Sequence, residues 1–151
     1  MALKADYELI QLPYTTTGNA KFYEPLISDE TMLVTLPPQS VSKLFVHLTH
    51  TDNLMVLRGQ AVHVLLIGGD YHYIGMSEAE QKVLKIPPKI VHGAINLTNE
   101  PCTMVNAVVR HRPAIEADYR PIEWRFPYDE KKVRACQSLL SVHGALNCSL
   151  I

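Results

Sequence analysis

The 151-residue sequence predicts an all-β fold, a barrel or a sandwich, with a single helix near its end. Its apolar segments are short, regularly spaced and separated by Gly, Pro and Asn, which is typical of such folds. Residues 61–67 and 103–109 are apolar at both alternating sets of positions. One face of these strands would line a barrel, and the other would meet a second sheet or a subunit. Further along, Val133, Cys136 and Leu140 recur at helical spacing.

Length and composition are those of one soluble domain over residues 1–151, with 47% hydrophobic and 19% charged residues. The formal net charge of −1 gives no basic surplus for binding nucleic acid or an anionic membrane. The sequence contains no run of about 18 apolar residues, which a membrane-spanning helix would need. Residues 1–12 lack the apolar run of a signal peptide. We therefore expect neither nucleic acid nor membrane as a partner.

The number and spacing of the cysteines indicate whether the protein works in a reducing or an oxidising compartment. Cys102, Cys136 and Cys148 are odd in number, far apart and without Cys-x-x-Cys spacing. This pattern predicts reduced thiols and a cytoplasmic protein.

The strands can be assigned in chain order. We expect strands at 7–12, 31–36, 43–50, 53–57, 61–67, 71–74, 83–86 and 103–110, where 43–57 is two strands or one strand broken near 49–52. Residues 15–19 are predicted as a turn cluster, and 21–26 carry a weak signal. Gly68-Gly69-Asp70 predicts a tight hairpin. The barrel core would cover about residues 30–112.

A helix is predicted at 129–141, as a lid or brace over the barrel. Asp129 is its expected N-cap, and Gly144 can end it.

One stretch carries the most specific pattern, Ile86-Pro87-Pro88-Lys89-Ile90-Val91-His92-Gly93-Ala94-Ile95-Asn96. Pro87 cannot donate to a sheet ladder, so it marks a bend that aims the side chains after it. His92 and Asn96 are four residues apart, which places them on the same face of a strand.

Pro87, His92 and Asn96 match the second signature of the cupin superfamily, with Lys89 where that signature has Gly. Residues 84–94 resemble the Leu-x-Ile-Pro-Pro-Gly-x-x-His-Gly-Phe stretch of its dTDP-4-dehydrorhamnose 3,5-epimerase branch, and 54–64 and 118–124 extend the likeness. The resemblance implies a cupin jelly-roll barrel (double-stranded β-helix) that holds a small-molecule ligand.

The first cupin signature is matched in part. Gly59 fits its last position, Asp52 stands in the Glu place and His47 in the second His place. Phe45 occupies the first His place, and His50 is an additional histidine on the face of Asp52.

Metal-binding cupins use three imidazoles and one carboxylate. His47, His50, Asp52 and His92 could supply this set only with a bulge, because a three-residue offset in a regular strand points His47 and His50 to opposite faces. We therefore predict no cofactor, and name these four residues as the ligands if a divalent metal is bound.

The resemblance also implies roles in proton transfer. His47 stands closest in the sequence to the position of the epimerase family's catalytic base. Where that family has a Tyr acid, this chain has residues 104–106, which contain no Tyr and end in Asn106. The related 3,4-ketoisomerases need only histidines. We therefore assign His47 and His92 as catalytic, with Asp52 holding an imidazole in one tautomer. Neighbouring imidazoles repel when charged, so at least one should have a pKa below about 6.5.

The remaining polar candidates are assigned to substrate binding. They are His50, Arg58, His63, Asn96 and Asn106. The basic cluster at 110–112 is interpreted as a solvated strand end.

The leading hypothesis is a small-molecule-binding cupin that acts as an isomerase or epimerase on a nucleotide-linked keto-sugar. The alternatives are a metal-dependent cupin enzyme such as a dioxygenase, and a non-catalytic ligand-binding cupin. Because two strands are apolar on both faces, we also expect a homodimer.

Overall fold

The computed structural model describes residues 6–24, 26–122, 127–143 and 145–147. A short 3-10 helix covers Glu116–Asp118, and the α-helix α1 covers Glu130–His143. The strands are β1 (Glu8–Gln11), β2 (Tyr14–Thr17), β3 (Ala20–Tyr23), β4 (Glu30–Leu36), β5 (Ser40–Val41), β6 (Leu44–His47), β7 (His50–Arg58), β8 (Gln60–Ile67), β9 (Asp70–Ser77), β10 (Lys82–Ile86), β11 (Val91–Asn96), β12 (Cys102–Arg110), β13 (Tyr119–Ile122) and β14 (Ala145–Asn147).

Two antiparallel sheets form a jelly roll, which confirms the predicted fold class. In the described part of the chain, one sheet has the strand order β1-β10-β7-β12-β4. The other has the order β13-β6-β11-β8-β9-β14, with β5 paired to β11. The chain crosses between the sheets at β4–β5, β6–β7, β7–β8, β9–β10, β10–β11, β11–β12 and β12–β13, so that they wrap around a shared interior.

The interior is filled by alternate residues of the facing strands, including Leu54, Leu65, Ile86 and Met104. Along β12 burial alternates residue by residue, as expected for a strand with one face on a core. Both faces of β8 are buried, because its outward residues pack under α1. The second apolar face of β8 thus meets a helix and not a second sheet or subunit.

The helix agrees with its sequence pattern. Asp129 Oδ1 accepts a hydrogen bond from Lys132 N at 3.0 Å, which is the predicted N-cap. Val133, Cys136 and Leu140 are fully buried against the outer face of β8 and β9. The helix is therefore a brace on the outside of the barrel. Gly144, its predicted end, lies outside the described residues. No helix among those described is long and apolar enough to cross a membrane.

The prediction of reduced thiols is wrong for Cys136, which is disulfide-bonded. Cysteine spacing in the sequence did not reveal this bond, because the fold decides which cysteines come together. Cys102 is a free thiol in the barrel core, and burial raises its pKa to about 11.

Two local assignments can be compared with the structure. Residues 15–17, predicted as turn, form β2, which pairs with β3 around a tighter turn at Gly18, where φ is 62°. Threonine-rich segments favour extended backbone, and Gly18 alone supplies the left-handed turn residue. The predicted hairpin at Gly68 and Gly69 is confirmed, since both residues have positive φ.

The turn before β11 places a lysine in a glycine conformation. Lys89 has a φ of 73°, at the position where the cupin signature has Gly. Its N–H donates to His47 O at 2.7 Å, which ties the turn to the end of β6. A Cβ in this region is strained, so the turn is held by its contacts and not by residue preference.

Lys89→Gly should therefore stabilise the protein by about 0.5–1 kcal/mol, because relief of the strain exceeds the added entropy of the unfolded chain. Denaturant unfolding measures the change. Lys89→Ala is the control, since it removes the same side chain and keeps the Cβ. Equal stabilisation by both variants would show that the lysine side chain, and not the backbone, is the source of strain.

Candidate active site

The site begins at a sharp corner between β6 and β7. β6 ends at His47 in one sheet, and β7 begins at His50 in the other, so only Leu48 and Thr49 connect them. Asp118 holds the corner by accepting hydrogen bonds from Leu48 N at 3.1 Å and Thr49 N at 2.9 Å. Because the strand direction changes here, the rings of His47 and His50 lie together, with centroids 4.2 Å apart. The interruption of the strand that the sequence required for the two rings to meet is therefore present, at Leu48 and Thr49.

His92 reaches the same place from β11, where it lies opposite Phe45 of β6. Its ring centroid is 5.3 Å from that of His47. His92 Nδ1 lies 2.8 Å from Ile90 O. A carbonyl oxygen can only accept, so the proton is on Nδ1, and Nε2 faces Asp52.

Asp52 is the centre of the cluster and is almost fully buried. Its Oδ2 lies 3.3 Å from His47 Nε2 and 3.1 Å from His92 Nε2. Its Oδ1 lies 3.2 Å from His50 Nε2 and accepts a hydrogen bond from Asn106 Nδ2 at 2.8 Å. Five of the residues predicted for the site are therefore in one network.

The environment separates the proton affinities of these groups. Burial would raise the pKa of Asp52, but hydrogen bonds from His50, His92 and Asn106 outweigh it and hold that pKa far below its usual range. Burial lowers the pKa of His47. The negative charge of Asp52 raises this pKa, but burial and the charges of His92 and His50 together outweigh that effect. The hydrogen bond to Asp52 raises the pKa of His50, and Asp118 adds to this against burial. The prediction of at least one histidine with a lowered pKa is confirmed by His47.

Of the other predicted residues, His63 lies near enough to the cluster to interact with the charges of His92 and Asp52, whereas Arg58 and Asn96 lie away from it. His63 is fully buried in β8 on the face that lines the barrel, and burial lowers its pKa to about 4. Arg58 is exposed at the other end of β7, beside a cleft of about 680 Å³. Asn96 is buried, but its amide nitrogen faces three backbone carbonyls within hydrogen-bond distance, and the shortest of these contacts is to Glu100 O at 2.8 Å. It braces a loop beyond β11.

Sequence reasoning missed a second carboxylate. Asp118 Oδ2 lies 3.3 Å from His50 Nδ1, accepts from Arg110 Nη1 at 2.9 Å, and also bonds the Thr49 hydroxyl. Burial opposes ionisation, but the hydrogen bonds from Thr49, Leu48 and His50 dominate and lower the pKa of Asp118. Arg110 is thus part of the site and not a solvated strand end. The available signal was position, because Asp118 opens the segment 118–124 that resembles the epimerases.

The donor set also fits a divalent metal ion. Ligand atoms of His47, His50 and Asp52 lie within 4.8 Å of one another, and His92 faces the same carboxylate. Three imidazoles with one carboxylate suit Fe, Mn, Ni or Zn. His92 and His50 each have Nδ1 beside an oxygen acceptor and Nε2 toward the centre, as metal-binding histidines do.

No protein-family model matches this chain, and no curated protein matches its sequence. Solved structures do share its fold. A dTDP sugar isomerase from Desulfovibrio desulfuricans has a TM-score of 0.65 at 17% identity, over 85% of this chain and 88% of that one. The 3,4-ketoisomerase QdtA from Thermoanaerobacterium thermosaccharolyticum, in complex with TDP, has a TM-score of 0.65 at 15% identity, over 80% and 91%. The dTDP-4-dehydrorhamnose 3,5-epimerase from Sulfolobus tokodaii has a TM-score of 0.64 at 17% identity, over 83% of this chain and 85% of that one.

These similarities define the class of fold. The chain has a cupin-type jelly roll, of the kind found in sugar-nucleotide isomerases and epimerases. At these identities the likeness concerns the fold, and the chemistry has to be argued from the site.

Proposed function

We propose that this protein is an isomerase or epimerase that moves a proton next to the ketone of a nucleotide-linked sugar. The observation that carries the proposal is the convergence of His47, His50 and His92 on Asp52 at one end of the barrel. Proton transfer between neighbouring carbons needs a neutral base and a charged acid within reach of one substrate. Adjacent rings whose pKa values shift in opposite directions supply such a pair.

In this proposal His47 is the base and His50 is the acid. His47 is neutral near pH 7 and accepts the proton from the carbon beside the ketone, which leaves an enolate. His50 lies between Asp52 and Asp118, and these carboxylates favour its protonated form, which donates a proton to the ketone oxygen and gives a neutral enediol. His50 then accepts the proton of the neighbouring hydroxyl while His47 returns its proton to the former carbonyl carbon, so that the ketone has moved by one carbon. Asp52 stabilises the positive charge that develops on His47.

Asn106 favours ketoisomerisation over 3,5-epimerisation. It stands near the place where the epimerases carry a Tyr acid. Its Nδ2 donates to Asp52, and its Oδ1 accepts from Asn53 N at 3.1 Å. An amide cannot serve as a proton donor in catalysis, so the histidines would have to supply every proton.

The substrate would reach the histidines from the barrel mouth. Beyond the cluster the interior is packed with apolar side chains such as Leu54, Leu65 and Ile86. His47 retains 15% and His50 10% side-chain exposure, which leaves an accessible edge of the imidazole pair. A keto-sugar ring can thus approach while its nucleotide lies outside.

The direct test uses a compound that one of the structural neighbours binds. A histidine-to-asparagine variant of the ketoisomerase QdtA was solved in complex with TDP-4-keto-6-deoxyglucose. Incubating this compound with the protein in D₂O should place deuterium at carbon 3 or carbon 4, as read by NMR. Additional label at carbon 5 would indicate epimerase chemistry. Binding of TDP without label at any carbon would favour a non-catalytic ligand-binding cupin.

A metal-dependent enzyme is the second candidate, and the ring orientations favour it. With the His92 proton on Nδ1, a neutral ring would turn the Nε2 lone pair toward Asp52 Oδ2 at 3.1 Å. Two such acceptors repel unless a proton or a cation lies between them. His47, His50, Asp52 and His92 would hold the ion, which would supply Lewis-acid chemistry at the barrel mouth.

Metal content separates the two candidates. Under the histidine proposal, protein treated with a chelator should retain deuterium incorporation at an unchanged rate. Under the metal proposal, the purified protein should contain about one equivalent of Fe, Mn, Ni or Zn by elemental analysis. Chelation should then abolish turnover and shift the ¹⁵N signals of the histidine Nε2 atoms.

A further inference from the structure

A cleft of about 460 Å³ lies on the outer face of the sheet that contains β7, away from the imidazoles. Neighbouring residues of a strand point to opposite faces, so Asp52 points into the barrel and Asn53 points out of it, toward this cleft. Thr51 and His111 also line it, and they are bonded to each other at 2.6 Å. Small-molecule sites in proteins have about this volume. The cleft is therefore large enough for a ligand of its own, and the proposed reaction does not use it.

The feature that points to a ligand is the side-chain oxygen of Asn53. This residue is 3% exposed and lines the cleft. Its Nδ2 donates to Ala107 O of β12 at 2.9 Å, whereas its Oδ1 has no hydrogen-bond partner among the described residues. Nearly all buried polar atoms in folded proteins are hydrogen-bonded, because an unpaired acceptor loses the water that it would otherwise bind. A donor brought by a ligand would supply the missing bond.

Lys85 lines the same cleft beside this oxygen. It is the direct partner of Asn53 in the pairing of β10 with β7, which places the two side chains next to each other on the outer face. Its Nζ lies 3.8 Å from Glu8 Oε1 and its side chain is 41% exposed, so this ion pair is weak. An ammonium group has three protons to donate, so Lys85 can also bond an acceptor in the cleft. An unpaired acceptor and a donor thus stand side by side.

The rest of the lining favours a neutral and mostly apolar molecule. Pro13, Leu26 and Val109 supply apolar surface around the two polar groups. The charged side chains among the described lining residues are Lys85 and Glu24, which have opposite signs. The cleft therefore has no net charge that would select an anion or a cation.

We propose that this cleft binds a small neutral molecule whose ring carries an N–H next to a C=O, as a lactam or a cyclic imide does. The N–H would donate to Asn53 Oδ1, and the neighbouring oxygen would accept a hydrogen bond from Lys85 Nζ. The apolar part of the ring would pack against Val109. This inference does not rest on the proposed isomerase or epimerase function, since the two sites lie on opposite faces of β7.

Two matched compounds test the proposal on the wild-type protein. 2-Pyridone has an N–H next to a C=O, whereas N-methyl-2-pyridone has the same ring and oxygen without the N–H. Titration with 2-pyridone in the millimolar range should give saturable NMR shifts of the Asn53 side-chain amide, and nuclear Overhauser contacts from the ring to the Val109 methyl groups. N-methyl-2-pyridone should bind about tenfold more weakly or less, because Asn53 Oδ1 then stays unpaired. Equal affinity for both compounds, or the absence of shifts at Asn53, would overturn the proposal.

Lys85→Met tests the second contact. Methionine keeps the apolar part of the side chain and removes the ammonium group from a partly exposed position, so the fold should persist. The variant should bind 2-pyridone about tenfold more weakly in the same titration. Lys82→Met is the matched control, since Lys82 lies on the same strand, pairs with Glu80 at 2.9 Å and is not among the described residues that line the cleft. Wild-type affinity in Lys85→Met, or an equal loss in both variants, would show that this pair of side chains is not a binding site.

Discussion

Changing His47 to Asn should lower the rate of deuterium incorporation into TDP-4-keto-6-deoxyglucose by about 10²–10⁴-fold. The surroundings of this imidazole lower its pKa, and it retains the largest exposure of the three rings in the cluster. Asn can still donate to Asp52 Oδ2, so the buried carboxylate keeps a partner and the fold should persist. The loss should appear in kcat and leave binding of TDP, measured by calorimetry, nearly unchanged.

His111→Asn is the matched control for this variant. His111 is exposed, and its Nε2 bonds the Thr51 hydroxyl at 2.6 Å, away from the Asp52 cluster. The same substitution there should retain full activity. If His47→Asn keeps the wild-type rate while His92→Asn loses it, the base is His92. If both variants keep that rate, the histidine mechanism is wrong.

His63 should make the protein markedly less stable as the pH falls. It is 1% exposed, its Nε2 has no hydrogen-bond partner, and burial lowers its pKa to about 4. Below about pH 6.5 this histidine is protonated in the unfolded chain, whereas in the folded protein it stays neutral until the pH nears 4. Stability is therefore lost as pH falls through this window, by about 2 kcal/mol between pH 7 and pH 5 from this residue alone.

Replacing His63 with Leu isolates that contribution. Leu has a similar volume and no polar atom to leave unpaired, so the variant should be at least as stable as the wild type at pH 7. Between pH 7 and pH 5 it should lose about 2 kcal/mol less than the wild type in denaturant unfolding. His111→Leu, on an exposed residue, should keep the wild-type pH dependence. An unchanged pH dependence in His63→Leu would show that His63 is protonated in the folded state.

The main lesson about the site concerns the segment from His47 to Asp52. Composition and spacing supplied the right residues, but a regular strand would have separated two of the three imidazoles. The corner at Leu48 and Thr49 depends on hydrogen bonds to Asp118, which follows about seventy residues later in the chain. No local pattern could reveal this long-range contact.

Asn96 and Arg58 illustrate the opposite error. Each occupies a position that matches a family signature or a turn beside it, and the structure places both away from the imidazoles. Asn96 lies on the same face of β11 as His92, but it is four residues further along the strand, so the two side chains are far apart in the strand direction. A shared face is necessary for a shared site, and it is not sufficient.

By itself the sequence determined the all-β class, the helix with its Asp129 cap, and the inward direction of His92 after its proline bend, whereas the jelly roll was implied by the family resemblance. These depend on local alternation, capping and backbone restriction, which are properties of neighbouring residues. Tertiary structure alone decided that His47 and His50 meet, that Asp118 and Arg110 join them, and that α1 covers the second face of β8. Those outcomes depend on contacts between distant segments, whose energies exist only once both sheets have closed around the core.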